Sequence, residues 1–402
     1  MNRKLRSIPL FCSIGAEFIS HLGNQIAALT IPILVLQYTH SAIATGIAAA
    51  GNILPIVLAA FVGGKTIDRF GAWRVSIVAD GLSGISVLLL PLVFLSSKSV
   101  SPIVIFLLVF VGALFDPTAT AARQTLVPKF ARLAGIPLTK VNGYRGSLEN
   151  GADLLGPILG AVSIGSIGII NTFFANAVSF FICAMVFAIA IPRQHHRVCQ
   201  SEEKVDPIAG ISFIFQHSQL RSLAVSSMAL NFVLLPFLGL LLPILTTQKF
   251  ASTALLGICL SLFGMAATIG ALSFSNLARL LERSIIYYGG LLLIAIAILL
   301  CGIVETPTGV MLSVTIGGLL LGAGNPLEQT ILQEVVPSRI AGQVFTAHTA
   351  ISFVAGLIGL PIAGIFTELT NINLVLIVSG SFLAIGSAIS WYFMPLSNRK
   401  SG

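Results

Sequence analysis

Long apolar runs alternate with short polar breaks along the whole chain. The runs fall near residues 9–37, 42–62, 75–95, 103–127, 147–166, 168–191, 221–245, 254–277, 285–304, 309–335, 343–366 and 373–394. A helix needs roughly 20 apolar residues to cross about 30 Å of hydrocarbon, and each run is about that long. Strands of a membrane barrel are shorter, about ten residues, and alternate in polarity. Lipid offers no partner to backbone N–H and C=O groups, so an unbroken apolar run predicts a helix. The pattern therefore predicts an all-α integral membrane protein with twelve transmembrane helices. The longest polar stretch separates the sixth run from the seventh. It predicts an N-terminal six-helix bundle over 1–192, a cytoplasmic linker over 193–220 and a C-terminal six-helix bundle over 221–402. Within the linker, Asp206 at an N-cap and Pro207 at the first helical position predict a short amphipathic helix. Ile208, Ile211, Phe213, Ile214 and Phe215 would lay it on the inner leaflet.

Charge sets the orientation. With the N-terminus inside and the spans alternating, the inner segments carry 20 of the Lys and Arg residues, and the outer loops carry only Lys98 and Lys249. Positive residues concentrate on the cytoplasmic side, so both termini are expected there. The N-terminal MNRKLRSIPLF is basic and then apolar, as in a signal peptide. Glu17 and His21 interrupt its core and no small-residue cleavage site follows, so it reads as a retained first span.

Composition agrees with lipid as the solvent. The chain of 402 residues is 56% hydrophobic and 9% charged, against roughly 25% charged in soluble proteins. Mean hydropathy is +0.98. The net charge of +8 is accounted for by the inner loops, so no nucleic-acid partner is expected. The cysteines at 12, 183, 199, 259 and 301 form no CxxC or Cys/His cluster. No disulfide, zinc site or other metal site is expected. The paired His195 and His196 sit in the basic linker, no nucleophile–base set lies within membrane reach, and no phosphate-binding loop is present. Enzymatic function and direct ATP drive are not expected.

Ionisable residues inside spans are costly and mark candidate sites. Glu17 lies nine residues beyond Ile8, about 13 Å deep. Glu17, His21, Asn24 and Gln25 share one helical face. They form either a structural hydrogen-bonded set or a proton carrier, since His titrates near neutrality. Asp116, just before Pro117 in span four, faces a cavity or caps the helix that follows. Glu328 is again about 13 Å from its inner helix end. With Asn325 and Gln329 it gives span ten a polar face. Asn231 in span seven is a substrate-contact or packing residue. Asp80, Glu149 and Asp153 read as partners in interhelical salt bridges with Arg123 or Arg145. Gly151, Gly156, Pro157 and Gly160 in span five read as a close-packing stretch.

The halves repeat. Asp116 to Pro128, DPTATAARQTLVP, superposes without a gap on Asn325 to Pro337, NPLEQTILQEVVP, matching Gln124 with Gln333 and Val127 with Val336. Pro157 and Gly160 echo Pro361 and Gly364. Two repeated bundles around a central site are common among secondary transporters.

The polar break between spans two and three reads GGKTIDRFGAWR. It resembles the loop signature of the major facilitator superfamily, G-x-x-x-D-R-x-G-R-[RK], through Gly64, Asp68, Arg69 and Gly71. Ala72 and Trp73 stand where basic residues are usual, and Arg74 follows. FISHLGNQIAALTIPILVLQYTHSAIATG, FDPTATAARQTLVP, VNGYRGS and PSRIAGQV resemble the branch of macrolide and enterobactin exporters. The span-five signature G-P-x-x-G-G appears as Gly156 to Ala161 with its last glycine replaced, and Asn24 stands where that branch often has an acid.

The resemblance implies alternating-access export of small amphiphilic molecules, drug-like compounds or a siderophore. It implies coupling to the proton gradient without another cofactor, in the inner membrane, by a monomer. A lysolipid transporter and a proton-independent facilitator of the same fold are the alternatives. The proton-coupling candidates are Glu17, His21, Asp116 and Glu328. The substrate-cavity candidates are Asn24, Gln25, Asn231, Asn325 and Gln329. Gly64, Asp68, Arg69, Gly71 and Arg74 would form a cytoplasmic gate, with Asp68 on the N-terminus of span eleven. Gly151, Gly156, Pro157 and Gly160 would form a hinge.

Overall fold

A computed structural model describes residues 3–39, 55–56, 58–59, 62–96, 101–192, 209–393 and 396. The regular elements among them are helical. Span one is Arg3–Thr39 and span three is Ala72–Ser96. Span four comprises Pro102–Ala113 and Asp116–Ala134. Spans five and six are Leu138–Ile167 and Ile169–Ala190. Span seven runs Ser218–Lys249, span eight Thr253–Leu280 and span nine Ile285–Ile303. Spans ten, eleven and twelve are Pro307–Val335, Ala341–Leu369 and Ile372–Phe393. Most of span two lies outside the described residues; its end is the helix Gly63–Phe70.

That last helix corrects one expectation. The polar break after span two is not an open loop. Helix runs through Lys65, Asp68 and Arg69 to Phe70, and the next begins at Ala72. The chain turns at Gly71 alone, where φ is 88°. A residue with a Cβ is strained there, and glycine is not. The break inside span four has a different cause. Pro117 cannot donate to the ladder and its ring crowds the carbonyl four residues earlier, so the helix stops at Ala113 and restarts at Asp116. Asp116 occupies the first turn of the second segment, but the cap residue is Phe115 and no side chain caps this end. The capping alternative for Asp116 is therefore set aside.

Asp206 and Pro207 lie outside the described residues. The linker helix is seen as Ala209–Gln216. Its Gly210 and Ile214 are buried in protein, while Phe215 is exposed.

The helices group into two compact units. The first holds Met1–Leu138, Leu155–Ser212 and Val335–Ala350; the second holds Thr139–Leu154, Phe213–Glu334 and Ile351–Gly402. Spans five and eleven thus each contribute to both units. In the first unit, Leu34, Val35, Phe94, Ile105 and Phe173 form one buried cluster. Lipid tails are as apolar as these side chains, so close fit rather than hydrophobic drive holds such helices together. The second half of span five illustrates this. A Cβ on Gly156 would strike Gln25, and one on Gly160 would reach Leu29 and Ile26 of span one. Gly151 differs: a Cβ there would meet nothing within 4 Å, so it is not a close-packing position.

Three π-helical turns interrupt the second unit, at Phe237–Leu241, Leu245–Lys249 and Ile285–Gly289. Such turns rotate the residues that follow them and concentrate at functional sites. The third contains Tyr287 and Tyr288, both buried.

Candidate functional site

Three polar constellations interrupt the apolar packing. The first joins Asp68 to span eleven within the first unit. Asp68 Oδ1 accepts the backbone N–H of Gly342 at 2.9 Å, and Oδ2 accepts that of Gln343 at 3.2 Å. Gln343 Nε2 donates to the same Oδ2 at 3.1 Å. The first turn of any helix leaves four backbone donors unpaired and carries partial positive charge. Asp68, 274 residues away in sequence, supplies the capping oxygens from another helix. Glycines permit the approach. A Cβ on Gly64 would lie 2.5 Å from the Gln343 Cα, and one on Gly342 would lie 2.7 Å from Ile67 Cβ. Arg69 and Arg74 are exposed and make no ion pair among the described residues.

The second constellation centres on Arg123 in the second segment of span four, which is only 4% exposed. Its Nη1 donates to both carboxylate oxygens of Asp80, at 2.6 and 2.8 Å. Nη2 donates to Thr120 Oγ1 at 2.9 Å. Glu17 from span one and Asp116 from span four each stand 3.9 Å from the guanidinium. Asn24 Nδ2 donates to Asp116 Oδ2 at 3.0 Å. Cys183 of span six closes the group, its Sγ 3.7 Å from Nη1. Spans one, three, four and six therefore meet at three carboxylates and one cation. Asp80 is fully committed to Arg123; Glu17 and Asp116 are held at longer range, Glu17 buried and Asp116 partly accessible. His21 is not on the guanidinium; its Nε2 lies 3.5 Å from Gln25 Nε2.

The third constellation is in the second unit and is built on hydroxyl groups. Glu328 Oε2 accepts the Ser227 hydroxyl at 2.7 Å and the Tyr287 phenol at 2.8 Å. The two hydroxyls are 3.1 Å apart. A carboxylate with two hydroxyl donors is held by charge-assisted bonds. Asn231 turns back on its own helix and donates to the Ser227 carbonyl at 3.0 Å. Gln329 is half-buried and Asn325 is exposed. Nearby, Asn142 of span five donates to Thr330 Oγ1 and Gln333 Oε1 of span ten, both at 2.9 Å.

Sequence reasoning does not single out Arg123 as a hub, nor Tyr287, Ser227 or Asn142. The internal repeat marks Gln333 but not its partner. Tyr287 depends on a π turn that periodicity does not reveal. The salt bridge between Asp80 and Arg123 joins two helices as expected. Arg145 pairs with Glu149 instead within span five, four residues on, at 3.8 Å, because both face the same side of one helix. The described cysteines 12, 183, 259 and 301 are free.

Known proteins share this architecture. The family model of the Major Facilitator Superfamily matches residues 14–279 and 222–402. The chain belongs to that superfamily, and family and fold together make it a multi-pass membrane transporter rather than an enzyme. Among curated relatives, it is 27% identical to the multidrug efflux pump Tap of Mycobacterium tuberculosis over 387 residues, covering 95% of this chain and 91% of Tap. It is 21% identical to the staphyloferrin A transporter of Staphylococcus aureus, over 71% of each chain. Among solved structures, a bacterial homologue of the iron transporter ferroportin in its outward-facing state has the same fold. The TM-score is 0.81 at 15% identity, covering 95% of this chain and 98% of that one.

Proposed function

We propose that this transporter exports small amphiphilic cations and returns protons in exchange. The observation that carries the reading is the excess of carboxylates around Arg123. Asp80 takes both hydrogen bonds of Nη1, and Thr120 takes one from Nη2. Glu17 and Asp116 bring two further carboxylates to within 3.9 Å of the same guanidinium. A proton or a cationic substrate would each relieve that excess, so the two compete for one place. Competition of this kind is what antiport requires. Binding one ligand disfavours the other, and the coupling is reciprocal.

The relation to Tap supports the efflux direction. The relation to the staphyloferrin A transporter raises a siderophore as cargo. A chelator that holds a metal through anionic oxygen donors, carboxylate or catecholate, is disfavoured by a site with surplus carboxylates. Glu328, with its two hydroxyl donors, is the corresponding candidate in the second unit. Asn24, Gln25, Asn325 and Gln329 are candidate polar contacts. Asp68 on the first turn of span eleven is the candidate gate. Its release and re-formation would accompany alternating access, with span five bending near Pro157. Twelve spans with cytoplasmic termini, acting as a monomer in the plasma membrane, complete the reading.

Transport in proteoliposomes under an imposed pH gradient tests it. The panel is a lipophilic cation and a catecholate siderophore, each with wild type, Glu17→Gln and Asp116→Asn. Gradient-driven cation movement that falls at least tenfold in Glu17→Gln is the expected result. Movement indifferent to pH, or siderophore movement that survives both substitutions, would overturn it.

A further inference from the structure

A groove of about 630 Å³ opens on the first unit; none of the residues of the Arg123 cluster lines it. Two helix stripes form its walls. One carries Leu58, Val62 and Phe70 from the end of span two; the other carries Arg74, Val78 and Leu82 from span three. Phe115, at the break in span four, also lines it. Val62, Phe70 and Val78 are each more than half exposed. The lining is apolar apart from Thr66 and Thr118, and its one charged residue is Arg74, exposed and with no ion pair among the described residues.

The dimensions fit one kind of occupant. Leu58 and Phe70 are twelve positions apart, and the helical bond from the Val62 N–H to the Leu58 carbonyl sets their spacing at about 18 Å, at 1.5 Å per residue. One leaflet contributes about 15 Å of hydrocarbon, half of a core of about 30 Å. The groove is therefore about as long as one acyl chain and carries one cation in its lining. A guanidinium pairs with phosphate through two parallel hydrogen bonds. Arg74 is available for this, because Asp68 in the preceding helix is engaged by Gly342 and Gln343.

We propose that this groove is a resident phospholipid site: one acyl chain lies between spans two and three, and the phosphate sits on Arg74. The occupant would brace the helix Gly63–Phe70 from its lipid side, while Asp68 on the same helix holds span eleven. The site does not depend on the cargo, on proton coupling or on which leaflet it faces.

Native mass spectrometry of the purified full chain, titrated with phosphatidylglycerol, tests the proposal. The expected result is one phospholipid bound at a concentration at least tenfold below that of the next. Arg74→Gln, a change at an exposed residue, should weaken that first lipid about five- to tenfold. Val78→Trp should remove it by filling the groove, whereas Ile389→Trp, at another exposed apolar position, should leave it unchanged. Diacylglycerol with the same chains should not replace it. Absence of a distinguishable first lipid would overturn the proposal. So would Arg74→Gln binding as wild type, diacylglycerol binding equally well, or displacement of the lipid by a transported cation.

Discussion

The Arg123 and Glu328 constellations hold carboxylates among packed helices in two different ways. In the first, a guanidinium does the holding, with three carboxylates around it. In the second, two neutral hydroxyls grip one. Both lie on or beside segments that repeat in sequence. In the superposition of residues 116–128 on 325–337, Asp116 falls on Asn325, Arg123 on Leu332 and Ala119 on Glu328. The repeat preserves the prolines and the glutamine that shape the helix, and it exchanges the charges. Scaffold and chemistry have therefore been separated: one helical frame carries an ionic cluster in one copy and a hydrogen-bonded acid in the other.

The sharpest way to break this contrast is Arg123→Leu, which installs the residue of the other copy. Removing one partner of a buried ion pair leaves an uncompensated charge and costs about 3–5 kcal/mol. Arg123→Leu should accumulate poorly in membranes and melt at clearly lower temperature. Adding Asp80→Leu should restore part of the stability, because it removes the carboxylate bonded directly to the guanidinium while Glu17 and Asp116 stay. Size-exclusion profiles and thermal melts of both variants check this. If the double variant is no better than the single one, the bond between Asp80 and Arg123 is not what the single variant lost.

A smaller effect is expected at the other pole. Tyr287→Phe removes one of two hydroxyl donors to Glu328, a hydrogen bond to a charged group worth about 1.5–3 kcal/mol. Ser227 remains to hold the acid. Denaturation in mixed detergent micelles should place this variant between wild type and Arg123→Leu. A loss equal to that of Arg123→Leu would mean that the two constellations are equally dependent on each partner, and the contrast would fail.

Much of the fold is legible in the chain. Apolar run length and inner-loop arginines predict the helices, because lipid permits little else. Asp68 and the start of span eleven are legible as a pair only through the resemblance of GGKTIDRFGAWR to a known signature, since 274 residues separate them. Glu17, Asp116 and Glu328 stand out because charge is rare within spans. Arg123 reads as a partner for Asp80 and not as a centre, since convergence of four helices is a tertiary fact. Tyr287 is hidden for a local reason: a π turn shifts the helical phase, and hydrophobic periodicity within an all-apolar run carries no record of it. The helix through Asp68 reads as loop because a polar stretch between spans mimics irregular backbone.

The contrast extends to the two helix ends. Span eleven is pinned by a charged group, Asp68, and span five by a neutral one, Asn142. An anion at a helix N-terminus contributes about 0.3–2 kcal/mol. Asp68→Asn keeps the shape and one acceptor but loses the charge. Hydrogen exchange at the Gly342 and Gln343 amides should accelerate by up to about 30-fold, at 1.4 kcal/mol per factor of ten. Asn142→Ala should leave those amides unchanged, since it acts within the other unit. Unchanged exchange in Asp68→Asn would mean that the glycine contacts at Gly64 and Gly342, not the carboxylate, keep span eleven in place.

The smallest change, Gly151→Ala, is best measured beside Gly156→Ala, since the two glycines of span five look alike in sequence. Gly156 faces Gln25 so closely that an added Cβ must displace it, whereas Gly151 has open space. Gly156→Ala should destabilise by about 1–3 kcal/mol through overpacking. Gly151→Ala should stabilise slightly, by about 0.5–1 kcal/mol, since alanine loses less backbone freedom in a helix. A melt that rises for Gly151→Ala while cation transport is retained would assign the close packing of span five to Gly156 and Gly160 alone. A melt that rises while transport falls would give Gly151 a different role. It would supply flexibility in the helix that both compact units share, which alanine would remove without touching a single contact.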